Sequence, residues 1–252
     1  MKQAIYQIIF ILLLTSCSQK KQVQENSKSI GDSVQNSHET SKTKIKSDYQ
    51  DTIRINYCEH KEILSILAIL PDSTMRSWSW KTNERKDFVR FIEKNNFAID
   101  TTKEYNNITK IKCNSIKIQV VDGSWVLSIY KIKSNNYIVI TDDIVGDGND
   151  IMSFEYNNGK LTYIELDKVF GDYFAELLID KNKSNCTEFL NENKIGFEYN
   201  FEDEEKVFIE NSWNLKEENN NCLKGNTLAF TFNRMTKKFD LNKVYWTKYK
   251  QK

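Results

Sequence analysis

Proline is nearly missing from this chain: Pro71 stands alone among 252 residues, accompanied by eight glycines. A composition so poor in both excludes collagen-like repeats and Pro-rich low-complexity sequence. Histidine is as scarce, with only His38 and His60, which restricts metal centres and nucleophile-base pairs built on imidazole. Neither a CxxC pair nor a GxSxG run occurs, so no zinc knuckle, thioredoxin-like redox site or hydrolase nucleophile elbow is indicated. Charge of one sign is lacking too: 36 basic against 35 acidic side chains leave a net of +1. Without a strong field to draw in polyanions, a nucleic-acid partner is disfavoured. No apolar run reaches the roughly 20 residues that a membrane-crossing helix needs.

What is present begins at the N-terminus. Lys2 supplies a cationic start, and Ala4 to Leu14 (AIYQIIFILLL) is apolar apart from Gln7. That run has the length and flanks of a secretory signal core. It is followed by Thr15, Ser16 and Cys17. Leu14-Thr15-Ser16-Cys17 resembles the lipobox of bacterial lipoproteins: a branched aliphatic residue, two small residues, then the cysteine that is acylated. The resemblance implies that residues 1–16 are removed as a signal peptide, that diacylglycerol is attached to Cys17, and that the new amino group is acylated in turn, commonly with palmitate. At about 0.8 kcal/mol per buried methylene, several chains make such an anchor effectively permanent. By the same resemblance, Ser18 rather than Asp after the lipidated residue favours the outer membrane, and the lack of an acidic cluster in the Ser-Gln-Lys-Lys-Gln run after Cys17 favours the periplasmic face.

Residues 17–48 are rich in Ser, Lys, Gln and Asn and hold no Phe, Tyr or Trp. Such a stretch cannot bury enough apolar surface to offset its ordering entropy, and it reads as a disordered tether. His38 lies in it and has no assigned role. Residues 49–252 form the globular part, as one domain or two small subdomains dividing near residue 180.

Within this part, His60 to Leu70 (HKEILSILAIL) predicts a buried helix stopped by Pro71. A second helix is expected from Asn83 to Asn95, with Phe88, Val89, Phe91 and Ile92 as its apolar face. Period-two alternation through Ile116, Ile118 and Val120 resumes at Trp125, Leu127 and Ile129, across Asp122-Gly123 as a turn. Similar punctuation at Ser134-Asn135-Asn136, Gly146-Asp147-Gly148-Asn149 and Asn157-Asn158-Gly159 predicts an antiparallel meander from about Ile108 to Leu166. Its strands should be half-buried, with Lys and Asn on a wet face. A helix around Tyr173 to Leu178, a short one after Ser184-Asn185, and terminal strands near residues 197–201, 207–210, 227–232 and 239–246 complete the pattern. The fold class is α+β, mainly antiparallel sheet as a β-meander, with a few short helices.

Four cysteines remain beyond Cys17: Cys58, Cys113, Cys186 and Cys222. An oxidising compartment permits disulfides, and four cysteines allow three pairings. Cys58 with Cys113 and Cys186 with Cys222 keeps each bridge within one half of the chain; free buried thiols are the competing reading. His60, beside Cys58, Glu59 and Glu62, is read as an exposed or capping residue, because one imidazole falls short of a ligand set.

The segment Thr141 to Asp150 (TDDIVGDGND) is the most oxygen-rich. Asp143, Asp147 and Asn149 are its candidate calcium ligands, with Asp142 and Asp150 beside them. Counted from Asp143, however, Val145 and Phe154 occupy the third and twelfth positions, where an EF-hand loop needs oxygen ligands. A solvated turn is the plainer reading. Trp78 and Trp80 are expected on one side of an extended segment between helices, as partner-binding anchors or as core.

These features predict a lipid-anchored envelope protein that binds or supports rather than catalyses, in its specific form an immunity or inhibitor protein that blocks a protein partner such as a toxin or envelope-active hydrolase. No cofactor is implied. The competing expectation is an envelope hydrolase using the Asp142 to Asp150 carboxylates, with calcium.

Overall fold

The computed structural model describes residues 52–95, 97–100, 107–120, 123–146, 148–171, 174–183, 186, 196–211 and 222–247. All of them belong to one compact unit, Lys46–Lys252. The expected signal peptide with Cys17, the expected tether with His38, Asp122, Asp147 and the helix expected after Ser184-Asn185 lie outside the described residues.

The chain enters through β1 (Thr52–Arg54), which pairs antiparallel with β2 (Ala98–Asp100). Between them run α1 (Tyr57–Leu67), a 3-10 helix (Asp72–Trp78) broken at Met75, and α2 (Thr82–Lys94). α1 starts three residues earlier than the apolar run suggests, because the Asn56 carbonyl accepts hydrogen bonds from the backbone N–H groups of Glu59 and His60, at 3.1 and 3.0 Å. It ends at Leu67 rather than Leu70, and a turn carries the chain on to Pro71.

A six-stranded antiparallel meander follows: β3 (Asn107–Ile111), β4 (Ser115–Val120), β5 (Gly123–Lys133), β6 (Asn136–Val145), β7 (Gly148–Asn157) and β8 (Lys160–Ile164), in that spatial order. Its turns are set locally. Asn158 and Gly159, at φ 47° and 87°, connect Asn157 to its partner Lys160 as a type I′ pair. Val120 pairs with Gly123, so Gly123 opens β5 rather than belonging to the turn as Asp122-Gly123 suggested. A side chain at Gly123 would overlap the carbonyl oxygen of Ile144 on β6.

Two helices of five residues each, α3 (Leu166–Phe170) and α4 (Phe174–Leu178), lead to a second antiparallel sheet. It is built from β9 (Phe197–Asn200), β10 (Lys206–Asn211), β11 (Thr227–Asn233) and β12 (Lys238–Tyr245), in the order β12-β11-β10-β9. This is an α+β fold dominated by antiparallel meanders.

The six-stranded sheet is covered on both faces. Successive strand residues point to opposite sides. Trp125, Leu127, Ile129, Tyr137 and Val139 therefore join one core with Ile63, Leu64 and Leu67 of α1, Met75, and Ile92 of α2. Tyr130, Ile138 and Ile140 join a second core with Val169, Phe170, Ile209, Phe230 and Phe239. The half-buried strands expected from the sequence are thus corrected for β5 and β6: Trp125 to Tyr130 and Asn136 to Asp143 are buried without interruption. The second sheet occupies the face that local patterning assigned to water.

Aromatic packing fastens the layers. Phe170 stacks on Phe239 at 4.5 Å and meets Phe230 edge-on at 5.3 Å. Tyr130 meets Phe239 edge-on at 4.7 Å and donates its hydroxyl to the Phe201 carbonyl at 2.9 Å. Burying one such side chain stabilises by about 1.5–3 kcal/mol, enough to hold a helix as short as α3, which would not persist alone.

On the other side Arg85 of α2 is wholly buried. Its guanidinium donates to the carbonyls of Leu67, Leu70 and Trp80, with Thr82 Oγ1 at 3.0 Å and Asp72 at 3.4 Å. One fork of donors thereby satisfies carbonyls left open where α1 ends.

Candidate functional site

The acidic segment is not a loop. Asp142 and Asp143 are consecutive residues inside β6, 1% and 2% exposed, and they point to opposite faces of the sheet. On the face toward the second sheet, Asn149 Nδ2 donates to both carboxylate oxygens of Asp142, at 2.9 and 3.0 Å. Burial pushes the Asp142 pKa up to about 6, against the opposing pull of that amide. Nearby Tyr199 is pushed up to about 12, by burial first and then by the Asp142 charge.

On the helical face, Asp143 accepts hydrogen bonds from Trp78 Nε1 at 2.9 Å and from the Ser77 backbone N–H at 3.3 Å. Asp150 lies opposite Asp143 on β7 and is exposed, whereas Asn149 lies opposite Ile144 and shares the face of Asp142. Asp143 and Asn149 are consequently on different sides of one sheet and cannot share an ion. The third candidate, Asp147, is outside the described residues. Strand patterning misled here because buried acids satisfied by an indole and an amide read, in sequence, like solvated turn residues.

The two indoles also leave the surface. Trp80 is 6% exposed and meets Phe88 edge-on at 5.2 Å, while Trp78 is half-buried on Asp143. The segment that carries them is not extended: Trp78 closes the 3-10 helix, and Ser79 between them adopts a left-handed φ of 50°.

Of the expected disulfides, Cys186–Cys222 is formed, with a sequence separation of 36. It lies beside the isolated bridge between Ile179 and Leu223, tying the end of α4 to the entry of β11. The Cys58–Cys113 bridge is not formed: Cys113 is a free, exposed thiol. Cys58 belongs to α1, and its side chain is outside the described residues.

Cys113 sits instead in the turn between β3 and β4, next to the first turn of α1. The Cys113 sulfur, a Glu59 carboxylate oxygen and a His60 ring nitrogen all lie within 4.8 Å of one another. His60, expected as an exposed or capping residue, is buried at 7% exposure, and its Nδ1–H donates to the Asn56 carbonyl at 2.6 Å, at the start of α1. That bond assigns the proton to Nδ1 and leaves the lone pair on Nε2. The neighbouring residues Lys112 and Asn114 line an open cleft of about 470 Å³ against the 202–206 turn. There Lys110 pairs with Glu202, and Lys112 Nζ reaches the Glu202 carbonyl at 3.1 Å. The Glu202 carboxyl is held below its usual range, because these lysines outweigh the opposing effect of burial. Nothing in sequence couples Cys113 to Glu59 and His60, since their meeting depends on how the meander docks against α1.

No family model matches this chain, and no curated protein does. Among solved structures, it is similar to a domain of an uncharacterized protein from Porphyromonas gingivalis, with a TM-score of 0.49 and 13% identity, over 72% of this chain and 98% of that one.

Proposed function

We propose that this protein is a lipoprotein of the cell envelope. It is held by acylated Cys17 in the outer membrane, faces the periplasm, and works by binding a protein partner, in the manner of an immunity or inhibitor protein. The anchor rests on the match of Leu14, Thr15, Ser16 and Cys17 to the lipobox. Several acyl chains, each methylene contributing about 0.8 kcal/mol, hold the folded unit at the bilayer surface.

Binding is preferred to hydrolysis on one observation: Asp142 and Asp143 are buried on opposite faces of β6, each engaged by a neighbouring donor. Hydrolysis by paired carboxylates requires two groups converging on one open cleft, and the strand geometry directs these two apart.

The anchor is tested by labelling cells with a fatty-acid analogue and fractionating them. The native chain is expected to carry label and to sediment with outer membranes, and Cys17→Ala to lose both. An unlabelled native chain recovered in the soluble fraction overturns the anchor. For the binding role, crosslinking in intact cells followed by purification of the anchored chain is expected to return one protein partner at constant stoichiometry. Recovery of an uncrosslinked monomer under every growth condition counts against it.

A further inference from the structure

We infer that Glu59, His60 and Cys113 form a binding site for a divalent, borderline-soft cation, with Zn2+ as the ion their chemistry selects. The inference does not rest on the lipid anchor or on the binding role. Imidazole nitrogen, thiolate sulfur and carboxylate oxygen are the three donor types found around protein zinc, and a thiolate disfavours calcium and magnesium, which prefer oxygen alone.

The arrangement has the parts of a metal centre. His60 is buried and held by its Nδ1–H bond to the Asn56 carbonyl at 2.6 Å. A hydrogen bond on one ring nitrogen is the usual device that orients a ligating imidazole, and here it leaves Nε2 as the nitrogen available to an ion. The same carbonyl accepts the backbone N–H groups of Glu59 and His60, so the ring is fixed to the start of α1 itself.

Cys113 and Glu59 are exposed and approach from different elements, the β3–β4 turn and the helix. Zinc bonds of about 2.0–2.3 Å place tetrahedral donor atoms roughly 3.3–3.8 Å apart. Donors already within 4.8 Å reach that spacing by side-chain rotation of the two exposed residues about the fixed ring. Three protein ligands leave a fourth position, on the solvent side, for water or a ligand atom from a bound molecule.

The site is tested on the full chain in detergent, with a phosphine reductant present so that no disulfide competes. Titration with Co2+ is expected to saturate at one equivalent. It should produce the intense visible bands of a tetrahedral ion and a thiolate charge-transfer band in the near ultraviolet, both abolished by Zn2+. Cys113→Ser should remove the charge-transfer band, and His60→Gln and Glu59→Gln should each weaken binding tenfold or more. A band that survives Cys113→Ser, whichever cysteine then carries it, or an affinity unchanged by His60→Gln, overturns the site. Should a variant not fold, the native chain still decides. Alkylation of Cys113, followed by mass spectrometry, is expected to slow at least tenfold when Zn2+ is added, and an equal rate with and without the metal refutes the assignment.

Discussion

Asp142→Asn should make this protein more stable at neutral pH, although it removes a charge that is doubly hydrogen-bonded in the native structure. The carboxyl is 1% exposed, and burial raises its pKa from 3.8 to about 6. A folded-state pKa above the unfolded one means that the native state prefers the protonated acid. Its contribution is therefore fully present below about pH 3.8, is lost as the pH rises through about 6, and stays lost above that. At about 1.4 kcal/mol per tenfold change in proton affinity, ionising Asp142 in the folded protein costs on the order of 3 kcal/mol.

The amide is isosteric and neutral, and its carbonyl oxygen can still accept from Asn149 Nδ2, which now sits 2.9 Å from Asp142. Asp142→Asn should then raise stability at pH 8 by up to about 3 kcal/mol, or roughly 6–12 °C in Tm for a unit of this size. The gain should shrink toward zero as the pH falls below 4. Urea denaturation of both proteins at several pH values between 4 and 8 reads the difference directly. A variant that is less stable than the native chain at pH 8, or that keeps the native pH dependence through this window, would show that Asn149 holds the carboxylate charged and would refute the reasoning.

Variants at Arg85 and at the disulfide probe what holds the layers together. Arg85→Met leaves the carbonyls of Leu67, Leu70 and Trp80 without their donor and should destabilise by about 3–5 kcal/mol in urea unfolding; Arg85→Lys should recover little, since an ammonium lacks the planar fork, and a loss under 1 kcal/mol for Arg85→Met would contradict the capping role. Replacing Cys186 and Cys222 together by Ala opens a loop of 36 residues and should cost roughly 4 kcal/mol in the chain-entropy model, checked by comparing denaturation of the double variant with that of the native chain.

Much of the secondary structure was legible because it is decided within a few residues. Asn158-Gly159 can take the left-handed angles of a tight hairpin, and the alternation around Trp125 and Leu127 marks a strand whatever lies beyond it. Keeping each bridge within one half of the chain favoured two pairs, and the structure forms Cys186–Cys222 alone of them. Whether Cys113 meets a thiol or an imidazole depends on where the β3–β4 turn lands against α1.

Arg85 was hidden for a similar reason. In the pattern of α2 it reads as one more polar residue, and only the end of α1 arriving above it supplies the carbonyls that make its burial favourable.

By itself, the sequence indicated the two helices before the sheet, the antiparallel meander with most of its turns, the terminal strands, and the resemblance of Leu14 to Cys17 to a lipobox, because each depends on near neighbours along the chain. The tertiary structure alone decided that β5 and β6 are buried on both faces, that Asp142 and Asp143 go to separate cores, and that Glu59, His60 and Cys113 converge. Alternation says that a strand has two sides. What covers each side is set by elements far away in sequence, and with it the pKa of an acid or the partner of a thiol.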